Sequence, residues 1–162
     1  MGLLRTEELV GGILESYAAR AVFRGFSHGP ARGGRAIFRM LWHRDRLFEL
    51  ILDVPKKTLR FPLVLPEVPA NSPMYREFRE FVESRFSDSL PEHRRIDAKK
   101  ARVRCGNRGG NVSLTLTAVD GDFDYGTRKL IHLVHEVYMD FLLDGRYYEY
   151  MIEKFDLDPD RM

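Results

Sequence analysis

Between Ala36 and Leu65 apolar residues recur at every second position. Ala36, Phe38, Met40 and Trp42 alternate with Ile37, Arg39, Leu41 and His43. Phe48, Leu50, Leu52 and Val54 alternate with Leu47, Glu49, Ile51 and Asp53, and Leu59, Phe61, Leu63 and Leu65 continue the pattern. A side-chain period of two places one set on a buried face, which is the signature of a strand. Arg44-Asp45-Arg46 and Pro55-Lys56-Lys57 are short polar breaks, so the three runs predict an antiparallel meander. Pro62 has no N–H to give to a ladder, so the third strand is expected to be an edge or to bulge there.

Helical spacing brackets this meander. Leu9, Val10, Ile13, Leu14, Tyr17, Ala18 and Ala21 make one apolar face, with Thr6 as the expected N-cap and Glu7 and Glu8 in the first turn. The glycine-rich segment from Gly25 to Gly34 is expected to be a flexible loop. Ser72 followed by Pro73 starts a second helix, with Met74, Phe78, Phe81 and Val82 as its apolar stripe. A third helix is predicted over about residues 125–143, ending before Gly145, and a short last one carries Tyr147, Tyr148, Met151, Ile152 and Phe155.

Two more alternating runs lie between the second and third helices. Ala101, Val103 and Cys105 alternate with Arg102 and Arg104; Val112, Leu114, Leu116 and Ala118 alternate with Ser113, Thr115 and Thr117. The connecting stretch, Gly106-Asn107-Arg108-Gly109-Gly110, has the glycines of a phosphate loop. Such a loop must deliver them to a helix N-terminus and needs a following Lys-Ser or Lys-Thr. Here they lead into a strand, so Gly109 and Gly110 are expected to be hairpin residues at positive φ, without a ligand role. The predicted fold is α+β, a single domain over residues 1–162 in the order α-β-β-β-α-β-β-α. Its antiparallel sheet has about five strands with helices on one face, and a short acidic tail covers residues 156–162.

Composition supports a packed core, since 44% of the 162 residues are hydrophobic and 12% aromatic. One cysteine excludes an internal disulfide and fits a reducing, cytoplasmic setting. No apolar run is long enough to predict a membrane partner. Net charge is only +2, yet the charges are segregated. Arg94, Arg95, Lys99, Lys100, Arg102, Arg104 and Arg108 face one acid, Asp97, whereas the tail carries Asp144, Glu149, Glu153, Asp156, Asp158 and Asp160. Such asymmetry favours a polar partner or self-association through opposite patches. The basic run also supports an alternative role in binding nucleic acid, though it carries no RNA-recognition or helix-turn-helix pattern.

Candidate chemistry is sparse. His132 and His135 are three apart with Glu136 after the second, unlike the four-residue spacing of a zinc helix. A helical wheel places His132, Glu136 and Asp140 together on the solvent side. Asp120, Asp122 and Asp124 alternate as calcium ligands do, but Tyr125 and Ile131 stand where an EF-hand needs Gly and Glu. An Asp-Gly turn and an acidic helix start account for these acids, with a weakly bound metal as the open alternative. Cys105 should point inward as a small apolar residue. No catalytic residue, cofactor or metal is expected.

The order of elements, the Ser72-Pro73-Met74-Tyr75 helix start and the closing Gly145-Arg146-Tyr147-Tyr148 resemble the type III secretion chaperone-like fold, in particular the YbjN-type family of bacterial sensory-transduction regulators. The resemblance spans about residues 5–155. It implies a non-enzymatic, chaperone-like regulatory module that binds other proteins and forms a dimer. The residues themselves point to where such contacts would lie. Opposite Phe38, Leu50 and Phe61, the sheet still carries Ile37, Leu41, Leu47, Ile51 and Val64, and Met139 and Leu143 interrupt the polar side of the third helix. Contiguous apolar residues on an exposed face mark interaction surfaces, and a homodimer is the expected outcome.

Overall fold

A computed structural model describes residues 2–43 and 46–143. The chain runs α1 (Gly2–Ala19), β1 (Arg24–His28), β2 (Arg35–Trp42), β3 (Arg46–Asp53), β4 (Thr58–Leu65), α2 (Pro73–Ser84), β5 (Ala101–Arg108), β6 (Asn111–Ala118) and α3 (Phe123–Glu136). The last helix continues as a π-helix over Val137–Leu143. The fold is α+β, with one six-stranded sheet in the order β1-β2-β3-β4-β6-β5, antiparallel throughout. Among the described residues no helix is long and apolar enough to cross a membrane.

Alternation decides which face is covered. Phe38, Met40, Leu50, Leu52, Leu59, Phe61, Leu114 and Leu116 are all fully buried on one side of the sheet. α1 packs against α3 and the β1 end, and α3 crosses β4 and β6 on that same side. Gly126 sets how near α3 comes. A Cβ there would lie 3.0 Å from Leu116 Cδ2 and 3.6 Å from Leu59 Cδ1, so a side chain would fit only if Leu116 gave way by a few tenths of an ångström. α2 starts as its sequence demands, with Ser72 Oγ accepting the Tyr75 N–H at 3.2 Å and Pro73 at the first helical position. Its Phe78 meets Phe141 of the π-helical turn edge-on.

The structure corrects four sequence expectations. The segment expected as a loop contains β1, which pairs with β2 through Ser27↔Arg39 and His28↔Phe38. A bulge between Arg24 and Ser27 allows this, because Gly25 adopts φ +61° while Phe26 stacks on Phe38. Thr6 is inside α1 rather than capping it. Pro62 lies in a central strand rather than at an edge, and the expected bulge is there, since Phe61 pairs with Leu114 but Leu65 with Val112; what it overturns is the placing of Val64 on the open face. Two extra residues on β4 break the alternation, so Val64 enters the core at 1% exposure and Leu63 turns outward at 39%. Finally, Glu136 is buried rather than solvated. The predicted stop at Gly145, the last short helix and the acidic tail lie outside the described residues.

The bulge makes a sharp prediction for two neighbouring leucines. Leu65→Ala should cost about 2–5 kcal/mol, as core truncations do, whereas Leu63→Ala should cost less than about 1 kcal/mol. Urea denaturation of the two variants checks this; unbroken alternation would give equal losses.

Candidate functional site

Among the described residues no helix crosses the side of the sheet away from α1 and α3, the open face. Its residues form lateral rows set by strand register. One row reads Ile37, Ile51, Arg60, Thr115, Arg104 across β2, β3, β4, β6 and β5. The next reads Arg35, Asp53, Thr58, Thr117, Arg102. On the other side of the first row, Arg39 faces Glu49 across β2 and β3 with 3.4 Å between Nε and Oε2, and beyond them Leu41 faces Leu47.

Two surfaces share this face. The first is an apolar strip along β2 and β3, made by Ile37, Ile51, Leu41 and Leu47, with the Arg39–Glu49 ion pair at its middle. Leu47 is 57% exposed, the most open of the large hydrophobic residues described. Leu41 is partly shielded, because the β1 bulge brings Gly25 against it. The second is a depression of about 360 Å³ lined by Arg35, Ile51, Asp53, Lys56, Thr58, Arg60, Arg104 and Thr115. Asp53 is the one carboxylate of this lining. It holds Arg35 Nε at 3.1 Å and accepts the backbone N–H of Lys56 at 3.2 Å. Among the described residues, no carboxylate lies within ion-pair distance of Lys56, Arg60 or Arg104.

The basic run does not form one patch. Arg94 turns to the helix side, where its Nη2 meets Glu136 Oε2 at 2.9 Å and Asp140 at 3.4 Å. Arg95 reaches Asp88 at 3.6 Å, and the Lys100 ammonium lies 4.9 Å from the centre of the Tyr125 ring. Lys99 and Arg108 are exposed elsewhere, at the turn before β5 and at the β5–β6 hairpin. Only Arg102 and Arg104 join the open face, where Arg60, Arg35 and Lys56 meet them. Met139 is 38% exposed on the π-helical turn, on the helix side and far in topology from the strip. The side chain of Leu143 is outside the described residues.

The other sequence candidates have structural occupations. Gly109 and Gly110 adopt φ +61° and +95° in the hairpin that pairs Arg108 with Asn111. Asn107 locks it, accepting the Gly110 N–H at 2.9 Å and donating to the Val68 carbonyl at 2.7 Å. Asp120 accepts the Asp122 N–H, Asp122 caps α3 through the Tyr125 N–H, and Asp124 binds Arg128 Nε at 2.6 Å. Among the described residues no group of three potential ligands could hold a metal. Cys105 faces the covered side, half-buried, and burial pushes its thiol up to about 11, far from a reactive thiolate at neutral pH.

Sequence reasoning missed two clusters. Glu136 Oε2 accepts from both Arg85 Nη1 and Arg94 Nη2 at 2.9 Å, with His132 at 3.5 Å from Oε1, tying the end of α2 and the following connection to α3. His43, at φ +46°, stacks on Tyr138 with ring centroids 4.0 Å apart and lies 6.1 Å from His135. Burial, and secondarily repulsion from His135, lowers its pKa to about 3, so the imidazole is neutral in the native state. No family model, no curated protein and no solved structure matches the chain.

Both clusters generate predictions. Glu136→Ala strands the poorly exposed Arg85 without its counter-charge and should cost about 3–5 kcal/mol in thermal or urea unfolding. Arg95→Ala, which breaks a bridge to the fully exposed Asp88, should change stability far less. For His43 the native pKa lies below the unfolded one, so the unfolded chain binds the extra proton. The stability contributed by neutral His43 is complete above pH ~6.5 and is lost as pH falls from there toward 3. Between pH ~6.5 and ~5 this amounts to about 1.5 kcal/mol. Unfolding free energies across that interval should fall less for His43→Asn, whose side chain tolerates the left-handed backbone, than for the parent chain.

Proposed function

We propose that the chain is a non-enzymatic protein-binding and regulatory module, chaperone-like in the manner of the YbjN-type family it resembles, and that it works as a homodimer docked through the open sheet face. The apolar strip carries this reading. Two pairs of aliphatic side chains flank the Arg39–Glu49 ion pair, with Leu47 exposed and Ile37, Leu41 and Ile51 half-buried, and apolar patches on an uncovered face are the usual mark of a docking site. A second copy of the chain is the occupant that its charges favour. The strip holds one cation and one anion, Arg39 and Glu49, at its centre, so its net charge is zero and it offers nothing to a strongly charged partner. A two-fold axis through that centre would set Arg39 of each copy against Glu49 of the other while the leucines and isoleucines meet. The resulting contact is sheet on sheet, with inner faces packed about 10 Å apart. A nucleic-acid role is the second reading, favoured by Arg60, Arg102 and Arg104 sharing one face; it requires binding that weakens steeply with salt.

Light scattering and sedimentation test the first reading. The parent chain should be dimeric at micromolar concentration, and Leu47→Glu should weaken association at least about tenfold, or about 1.4 kcal/mol, while the circular dichroism spectrum stays unchanged. Leu9→Glu, which alters an exposed apolar residue on the helix side, should leave the dimer intact. A parent chain that remains monomeric at high micromolar concentration, or a Leu47→Glu variant that dimerises as before, would overturn the reading.

A further inference from the structure

We infer that the depression beside the apolar strip is a binding site for a small phosphate monoester, held by Lys56, Arg60 and Arg104 with the hydroxyls of Thr58 and Thr115. The inference does not rest on the docking role of the strip. Its starting point is register. Arg60, Thr115 and Arg104 are consecutive members of one lateral row on β4, β6 and β5. Neighbouring strands lie about 4.8 Å apart, so the two arginines are anchored about 10 Å apart with a threonine between them. Both side chains are long enough to close over a group seated on that threonine. Thr58 lies two residues along β4 from Arg60 and therefore on the same face, and Lys56 stands on the turn just before it.

Charge completes the argument. Four cations line the depression against one carboxylate, and that carboxylate is already shared between Arg35 and the backbone of Lys56. Three positive groups around a single hollow repel one another, and a concave surface concentrates their field. The helix side of the same molecule treats its arginines differently, placing Glu136 against both Arg85 and Arg94. Among the described residues the open face supplies no such acid to Lys56, Arg60 or Arg104, and an anion from solution fits that place. A phosphate monoester carries about −1.5 to −2 charges near neutral pH and three acceptor oxygens, which match guanidinium forks, an ammonium and two hydroxyl donors. A single carboxylate has half that charge and would leave cations unpaired.

Size sets the rest of the ligand. About 360 Å³ is at the small end for metabolite sites, enough for a phosphoryl group and a short organic tail lying against Ile51. A polynucleotide would instead need cations spread along a track, and Arg94, Arg95 and Lys100 are engaged away from this face.

Calorimetry and amide-shift titration of the full chain with glycerol phosphate and with inorganic phosphate, at matched ionic strength in chloride, test the site. Saturable one-to-one binding is expected, with the largest shifts at Thr58, Arg60, Arg104 and Thr115, and with glycerol phosphate bound at least as tightly as inorganic phosphate. Affinity should fall as pH is lowered through the second phosphate pKa near ~6, where the dianion is lost. The double variant Arg60→Gln/Arg104→Gln should bind at least about tenfold more weakly. Lys99→Gln should bind as the parent does, and so should Leu47→Glu, which separates this site from the strip. Absence of saturation in the millimolar range, unchanged affinity in the double variant, exclusion of the ester, or much tighter binding of a single-stranded oligonucleotide would each overturn the proposal.

Discussion

The aromatic side chains of this sheet and its fully buried aliphatic ones occupy one face, and that constraint governs the rest of the molecule. An antiparallel sheet can leave its second face to water, provided the first is covered. Here α1 and α3 both go to the first face, with Gly126 letting α3 settle onto Leu116 and Leu59. No described helix remains for the other side. Its rows of arginine, threonine, isoleucine and leucine are therefore free to be a surface. The same division separates two kinds of basic residue. On the helix side Arg85 and Arg94 share the buried Glu136, while at the depression Lys56, Arg60 and Arg104 have no acid within ion-pair distance among the described residues.

The elements with unbroken alternation were legible from sequence alone. The runs in β2, β3, β5 and β6, the Ser72-Pro73 start of α2 and the Gly109-Gly110 hairpin each follow from a local rule that tertiary packing did not override. Failures came where a distant partner decided the outcome. β1 has one inward aromatic and two exposed ends, too little pattern to read, and it forms because the edge of β2 offers it a ladder. Val64 changes face because β4 carries extra residues against β6, which the presence of Pro62 hinted at but could not place. Glu136 is buried by arginines 42 and 51 residues earlier in the chain, which no helical wheel can contain.

The candidate site shows the same limit. Grouping arginines by sequence joined Arg94 and Arg95 to Arg102 and Arg104, yet strand direction and the helix-side acids pull those pairs apart. Arg60 belongs with Arg104 only because β4 neighbours β6 and β6 neighbours β5. That crossover, in which β4 pairs with the sixth strand rather than the fifth, brings β6 threonines between two arginine-bearing strands. The apolar strip, by contrast, lies within a single hairpin, so Leu41 and Leu47 could be placed together from the chain alone.

The strip and the depression meet at Ile51 but act through different forces. Association through the strip would draw on apolar area around an ion pair that compensates itself, so added salt would change it little. The cations of the depression act through a field that no acid among the described residues offsets, and solvent ions screen it over about 8 Å at physiological salt. Salt therefore separates the two surfaces, and the cations that respond to it are those that the strand order, rather than the sequence, has gathered.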